Sequence, residues 1–436
     1  MADADLMQKA ADFIEENLKA DLRLADIAEA AGYSVFHFCR IFQGAVGMPV
    51  MQYVLRRRLK HAAYAITCGM RASDAALLYG FDTHAGLYKA FMREYGCSPT
   101  AFAKRRAAAK PSGFDWKKGN GYMISREKVR EMLAHWQLEN AAAVPVVYEN
   151  SGITADNVWE AGSSHFLKAT KSLAQLTAHA AIAKALQSGG MAAPVPVRTS
   201  NGKEYVTDGE LFFYLLPRLE GRPVNSKALL LRPDAADAAF RLGTLIGRLH
   251  KALEAAGGDI PLDEPDLAAI VRGWAMPETR KAMDLPEAFY AEYNDAFPRL
   301  YPLMPRQLIH RDIHPGNILM DGENFSGFLD FELGEKNIRL FDPCYCLTGI
   351  LSENLPYCQS APDNKWFLLY KSLLHGYNSV CPLTDEEKEA APYVVFTNQM
   401  ICVAYFGGIP KYQELAATNR RMFAWLWERR AELVLV

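Results

Sequence analysis

The chain has 436 residues, half of them apolar, and near-balanced charge with 48 Lys/Arg against 50 Asp/Glu; single cores stop growing near about 250–300 residues, so more than one domain is expected. Eight cysteines, scattered singly apart from Cys344 and Cys346, lack the paired spacings of a zinc site or a disulfide framework, which points to reduced thiols. The acidic, amphipathic start MADADLMQKAADF and the lack of any 18-residue apolar run argue against a signal peptide and a membrane span, so a cytoplasmic location is expected.

Charge is unevenly distributed. Residues 1–106 carry 14 Lys/Arg against 11 Asp/Glu, and within them residues 30–106 hold 11 bases against 3 acids, a balance suited to phosphates. Apolar positions recur at three and four in LMQKAADFIEENL, LADIAEAA and VLRRRLKHAAYAI, so this part should be all α. It also repeats with an offset of 49: Ser34, Phe38, Arg40, Phe42 and Gly47 match Thr83, Leu87, Lys89, Phe91 and Gly96. In each copy a short helix leads through a glycine, Gly32 or Gly80, to a second helix capped by Ser34 or Thr83. One face of that second helix is apolar. This is the pattern of a double helix-turn-helix.

With GYS followed by the RIF core, Arg58 and Ala62 in the connecting helix, YGF at 79–81 and the closing GCSPTAFAKRR, residues from Leu24 to about Arg106 resemble the AraC-type regulator DNA-binding domain. The resemblance implies that the two second helices enter successive major grooves of double-stranded DNA, roughly 34 Å apart. Base-edge readers would then be Phe36, Cys39 and Arg40 in the first copy and His84, Ala85, Tyr88 and Lys89 in the second. Arg40 is the strongest of these, because a guanidinium can donate two bonds to guanine. Arg56, Arg57, Arg58 and Lys60 crowd the connecting helix, and some are expected to face solvent or phosphate.

From Ala107 the alanines, Pro111 and glycines of AAAKPSGFDWKKGNG mark residues 107–121 as the linker between a domain at 1–106 and one at 122–436. After it, strand-like pieces (VPVVYE, NVWEA, HFLKA, ELFFYLL, GFLDFE) precede or interrupt long helical patterns, which suggests an α+β domain. Its chemical core is LIHRDIHPGNILMDGENFSGFLDFE. Asp312 with Asn317 five residues on has the spacing of a kinase catalytic loop, in which the Asp accepts a hydroxyl proton and the Asn binds a metal. Asp330, eighteen residues after Asp312 and ending a short apolar strand, is a second oxygen ligand for Mg2+.

The variant HRDIHPGN resembles the aminoglycoside phosphotransferase and choline kinase family of small-molecule kinases over roughly residues 122–436. The resemblance implies a bilobal protein-kinase-like fold, with an N-lobe at about 122–217 and a C-lobe at about 218–436, and the use of ATP or GTP with Mg2+. It implies nucleotide contacts from Lys168 in HFLKA and from Gly152 and Asn157 in the preceding loop. His310, Arg311, His314 and Asp342 would support the catalytic loop. In the helix after Lys168, where the family carries a Glu that pairs with the lysine, there is no acid, and His179 takes the matching position.

The chain is therefore expected to be multidomain, an all-α double helix-turn-helix followed by the kinase-like fold. Two functional readings stand. One is a phosphotransferase acting on the hydroxyl of a small metabolite or antibiotic; the other is a regulator whose kinase-like domain senses a ligand or nucleotide without turnover. Duplex DNA and a small hydroxylated molecule are the expected partners, no membrane is involved, and a homodimer is left open. Trp366, Tyr370, Tyr377, Tyr405, Trp425 and Trp427 are better read as core than as pocket walls.

Overall fold

In the computed structural model the described residues are 2–46, 48–81, 83–95, 97–105, 111, 124, 126–147, 154–256, 260, 262–360, 365–409 and 412–435. Gly152 and the expected linker 107–121, save Pro111, lie outside them. The helices are α1 (Ala2–Glu16), α2 (Leu24–Ala30), α3 (Val35–Val46), α4 (Val50–Thr67), α5 (Ala72–Leu78), α6 (His84–Tyr95), α7 (Pro99–Arg105), α8 (Arg126–Leu133) and α9 (Leu173–Ser188), then α10 (Ser226–Leu231), α11 (Ala235–Ala256), α12 (Leu267–Ile270), α13 (Met276–Ala282), α14 (Glu287–Leu300), α15 (Phe341–Ser360), α16 (Lys365–Asn378), α17 (Asp385–Gly407) and α18 (Gln413–Glu428). The strands are β1 (Ala143–Val147), β2 (Thr154–Ala161), β3 (His165–Thr170), β4 (Val206–Asp208), β5 (Leu211–Pro217), β6 (Arg222–Pro223), β7 (Arg306–Ile309), β8 (Ile318–Asp321), β9 (Asn324–Phe328) and β10 (Glu335–Ile338). None of the described helices is long and apolar enough to cross a membrane.

The chain divides into two units, one of residues 1–171 and 196–218, the other of 172–195 and 219–436. In the first, α4 serves two cores. Its N-terminal half packs Val50, Tyr53 and Val54 with Ile14, Ile27, Phe38 and Phe42, and its C-terminal half packs Leu59, Ala62 and Ile66 with Ala75, Leu87, Phe91 and Phe102. Each helix-turn-helix copy thus has its own core, joined by one continuous helix. The turns work as their glycines require: Gly32 and Gly80 sit at φ 74° and 68°, in the left-handed region where a Cβ is strained. Thr83 caps α6 by accepting the Gly86 N–H at 3.0 Å.

Of the basic residues of α4, some of which were expected to face solvent or phosphate, Arg57 is buried, while Arg56, Arg58 and Lys60 are half-buried, and all three arginines make bonds within the fold. Arg57 is buried and pairs with Glu15 of α1, and Arg58 donates to the carbonyls of Leu18 at 2.9 Å and Ala20 at 2.6 Å. Arg56 pairs with Glu94 of α6. A guanidinium presents five donors in a planar fork, so one side chain can tie two or three segments together.

The rest of the first unit is an antiparallel sheet in the order β1-β2-β3-β5-β4. Period-2 alternation puts Trp159, Ala161, Leu167, Ala169, Phe213 and Leu215 on a face covered by Val129, Met132 and Leu133 of α8 and by Trp136. The second unit is mostly helical, with two small sheets, β10-β7 and β6-β8-β9. Helices α11 and α16 approach so closely that a Cβ at Gly243 would collide with the Leu373 carbonyl, and one at Gly376 with the Phe240 carbonyl. Trp366, Tyr370, Tyr377, Trp425 and Trp427 are buried in this unit's core, as their helical spacing suggested, while Tyr405 is exposed.

Candidate active site and candidate DNA-reading face

Strand β7 ends at Ile309, and the chain turns through His310, Arg311 and Asp312 before β8. Arg311 has φ 72°, a left-handed conformation that disfavours an L residue by about 1–2 kcal/mol. Asp342, at the start of α15, holds it there by accepting the N–H of His310 at 2.7 Å and of Arg311 at 2.9 Å. The same carboxylate accepts from Nε2 of His250 on α11 at 2.9 Å, and Nδ1 of His250 meets the Tyr377 hydroxyl at 2.7 Å. Burial alone would raise the Asp342 carboxyl, but the hydrogen bond and charge of His250, with His310 and its N–H, outweigh it and hold the group below the usual carboxylate range. The close packing of α11 on α16 is what brings His250 to Tyr377.

The Arg311 side chain turns back into the fold, donating to Glu335 of β10 at 2.8 Å with its guanidinium 3.8 Å from the Phe341 ring centroid. His310 is buried. It accepts the Asp312 N–H at Nδ1, 3.3 Å, and donates from Nε2 to the Leu329 carbonyl, 2.8 Å, so it bridges the loop to the residue before Asp330. Nδ1 of His314 accepts the Gly316 N–H at 3.1 Å and shapes the turn that leads to Asn317.

Asp312 and Asn317 meet directly. The Asn317 Nδ2 donates to the Asp312 carbonyl at 2.8 Å and to its Oδ2 at 3.3 Å, which leaves the amide oxygen as the donor of the kind a hard cation takes. The Leu329 N–H donates to the Asn317 carbonyl at 2.9 Å, so the next residue, Asp330, follows beside it. Asp330 also adopts a left-handed φ, 62°. Burial, aided by the Asp330 charge, pushes the Asp312 carboxyl up from its ordinary value against the pull of His314 and His310. An amide oxygen, a carboxylate and a second carboxylate nearby form an oxygen-rich set suited to Mg2+.

His179 of α9 is buried with both ring nitrogens engaged: Nε2 donates to the Pro194 carbonyl at 3.0 Å and Nδ1 accepts the Phe331 N–H at 3.2 Å. It therefore holds the backbone next to Asp330. Sequence reasoning passed over His250 and Glu335 in this network and read Tyr377 only as a core aromatic. Each lies in an ordinary helix or strand pattern, and only a buried polar residue on an apolar face hinted at a partner. Glu387, in the acidic run 385–387, is fully buried, pairs with Arg339 and closes a capping box with Thr384, so it is structural.

In the first unit Lys168 lies on β3 between Leu167 and Ala169, opposite Val158 and Tyr214, and is 7% exposed. Both neighbours belong to the core under the sheet, so Lys168 takes the other face. The Asn157 side chain donates to the Ala169 carbonyl at 3.1 Å, tying β2 to β3. On the helix-turn-helix part, Phe36 is 81% exposed, and Arg40, His84, Ala85, Tyr88 and Lys89 are exposed as well. Arg40 Nη2 stands 3.5 Å from Nδ1 of His37. Cys39 is half-buried and packs against the first core, so it offers less to a groove than its neighbours do.

Residues 164–366 match the phosphotransferase enzyme family, and residues 27–105 match the helix-turn-helix domain family. A homoserine kinase of Mesorhizobium japonicum is 31% identical over 214 residues, 48% of this chain and 61% of that protein, so the chain spans about three fifths of that relative's length. The HTH-type transcriptional activator AarP of Providencia stuartii is 40% identical over 91 residues, 21% of this chain and 67% of that protein. An aminoglycoside phosphotransferase structure from Alicyclobacillus acidocaldarius is similar over 70% of this chain and 96% of that one, at 16% identity and TM-score 0.48. The chain thus carries an AraC-type helix-turn-helix domain over residues 27–105 and a domain of the phosphotransferase enzyme family over residues 164–366.

Proposed function

We propose that the C-terminal domain is a working kinase that transfers the γ-phosphate of ATP or GTP to a hydroxyl of a small metabolite or antibiotic, and that the N-terminal domain brings the same chain to duplex DNA. The observation that carries the catalytic reading is the tethering of Asp312. Its carboxylate is oriented by Asn317, and its loop is locked by Asp342 and His310. A carboxylate held in this way can accept the proton of an attacking hydroxyl, a contribution of about 10²–10⁴-fold. Asn317 and Asp330 would hold Mg2+, which supplies charge neutralisation for the phosphates when bound. Lys168, with Gly152 and with Asn157, which lies in β2 rather than in the preceding loop, takes the nucleotide-phosphate role implied by the family resemblance. On DNA, Arg40 and Lys89 supply charge, and Phe36, Cys39, His84, Ala85 and Tyr88 fill out the two reading helices.

The experiment is ATP and GTP consumption over a panel of homoserine, choline-like amino alcohols, aminoglycosides, macrolides and simple sugars, with Asp312→Asn as control. Turnover that vanishes in the variant supports the kinase and names its acceptor class. Nucleotide binding by thermal shift without turnover on any of these favours the sensor reading instead. One observation speaks for that second reading: α9 carries no carboxylate, and the ring of His179 is already engaged with main chain.

A further inference from the structure

The first turn of α8 is bonded to the second helix-turn-helix copy. Nη1 of Arg126 donates to the carbonyls of Met92 at 3.1 Å and Arg93 at 3.0 Å, in the last turns of α6. The last four carbonyls of a helix have no partner within it, and a cation placed there also meets the negative end of the helix dipole. Two residues earlier, the Ile124 carbonyl accepts Nη2 of Arg56 at 2.8 Å, and Arg56 is at once the ion-pair partner of Glu94 on α6. Both attachments therefore land on α4 and α6.

From this joint the contacts run straight into the sheet. Ile124, Val129, Met132 and Leu133 share one core with Trp159, Leu167 and Ala169, and the last two flank Lys168 on β3. Cores of this kind are close-packed and transmit a shift rather than absorb it. Among the described residues the Nε of Arg126 is buried without a hydrogen-bond partner, which costs free energy that the two carbonyl bonds and the nearby Glu94 charge help to offset.

We propose that Arg126 and Arg56 form a coupling joint through which DNA held by α6 and the order of the Lys168-bearing sheet bias each other. The inference rests on the reading that the N-terminal domain binds DNA. The first copy, α2 and α3, is not gripped by these bonds, so the coupling belongs to the half-site read by α6. By linkage the effect is reciprocal: whatever orders the sheet changes DNA affinity by the same factor as DNA changes the order of the sheet.

Hydrogen exchange by mass spectrometry on the full chain tests this, with a random-sequence duplex at low salt as the probe. In the unaltered protein the duplex should slow exchange in α3, α6, α8 and β3, by about fivefold or more in β3. In Arg126→Ala the slowing in α3 and α6 should persist while that in α8 and β3 disappears, and Arg126→Lys should restore part of it. Slowing confined to α3 and α6 in the unaltered protein, or a β3 response that survives Arg126→Ala, overturns the proposal. A chain that gives no mobility shift with the duplex fails as a DNA binder, a separate result, and the DNA-free comparison then decides. There Arg126→Ala should speed exchange in β3 as well as in α6; faster exchange in α6 alone would make Arg126 a helix cap and nothing more.

Discussion

The candidate reading helices and the candidate catalytic loop hold their residues in opposite ways. On α3 and α6, Phe36, Arg40, Tyr88 and Lys89 stand in solvent on a scaffold whose cores are built by other positions, among them Phe38, Phe42, Leu87 and Phe91. In the loop and at the start of α15 behind it, His310, Asn317 and Asp342 are buried and each serves two or more main-chain or side-chain groups at once. A surface that reads a partner can be altered residue by residue without touching stability. A loop that must hold a carboxylate in one position cannot, because the residues that orient it also keep Arg311 in a left-handed conformation.

The sharpest way to break this contrast is Asp342→Ala. It leaves the His310 and Arg311 N–H groups and His250 without their shared acceptor, and about 3–5 kcal/mol of stability should be lost. Urea denaturation followed by fluorescence of the buried Trp366 and Trp425 measures it; a loss under about 1 kcal/mol would mean the network is incidental. Asp312→Asn should behave differently, removing turnover by about 10²–10⁴-fold while stability stays within about 0.5 kcal/mol. Steady-state kinetics beside a thermal melt separates the two effects.

The stability contrast also has a pH signature. The folded Asp342 carboxyl lies below its unfolded value of about 3.9. Its contribution is therefore fully present above that value and is lost as pH falls through the lower folded one. The stability gap between the protein and Asp342→Asn should be constant from neutrality down to about pH 5 and shrink below about pH 4, as read from denaturation midpoints. Glu15 gives the same sign in the first unit. Burial would raise it, but His61 and Arg57 hold it down, so acid should also weaken the hold of α1 on α4.

The smallest effects belong to the reading face. Arg40→Ala should weaken specific DNA binding by about 1–3 kcal/mol, and Lys89→Ala should lower the salt slope of binding by about one, each leaving the melting temperature unchanged. Titrations at several salt concentrations check both. A melting temperature that fell with Arg40→Ala would show that the exposed face is part of the fold after all.

Much of this is legible in the sequence itself. The 49-residue repeat, with glycines at its turns and apolar residues three and four apart, determined two helix-turn-helix copies, because a helix that buries one face must repeat its apolar positions at that spacing. The spacing from Asp312 to Asn317 marked a kinase-like loop, and Asp330 at the end of an apolar strand marked a second carboxylate returning beside it. Patterns of this sort are local, and a sequence displays them directly. What the sequence could not display is which distant residues meet. Nothing in the order of residues announces that Arg57 pairs with Glu15, or that His250 and Tyr377 stand behind Asp342. Nor does it show that His179 holds the Phe331 N–H, or that Arg126 grips the end of α6. Those pairings depend on how closely helices pack, as with Gly243 and Gly376, and a buried polar group finds its partner only when the chain has closed around it.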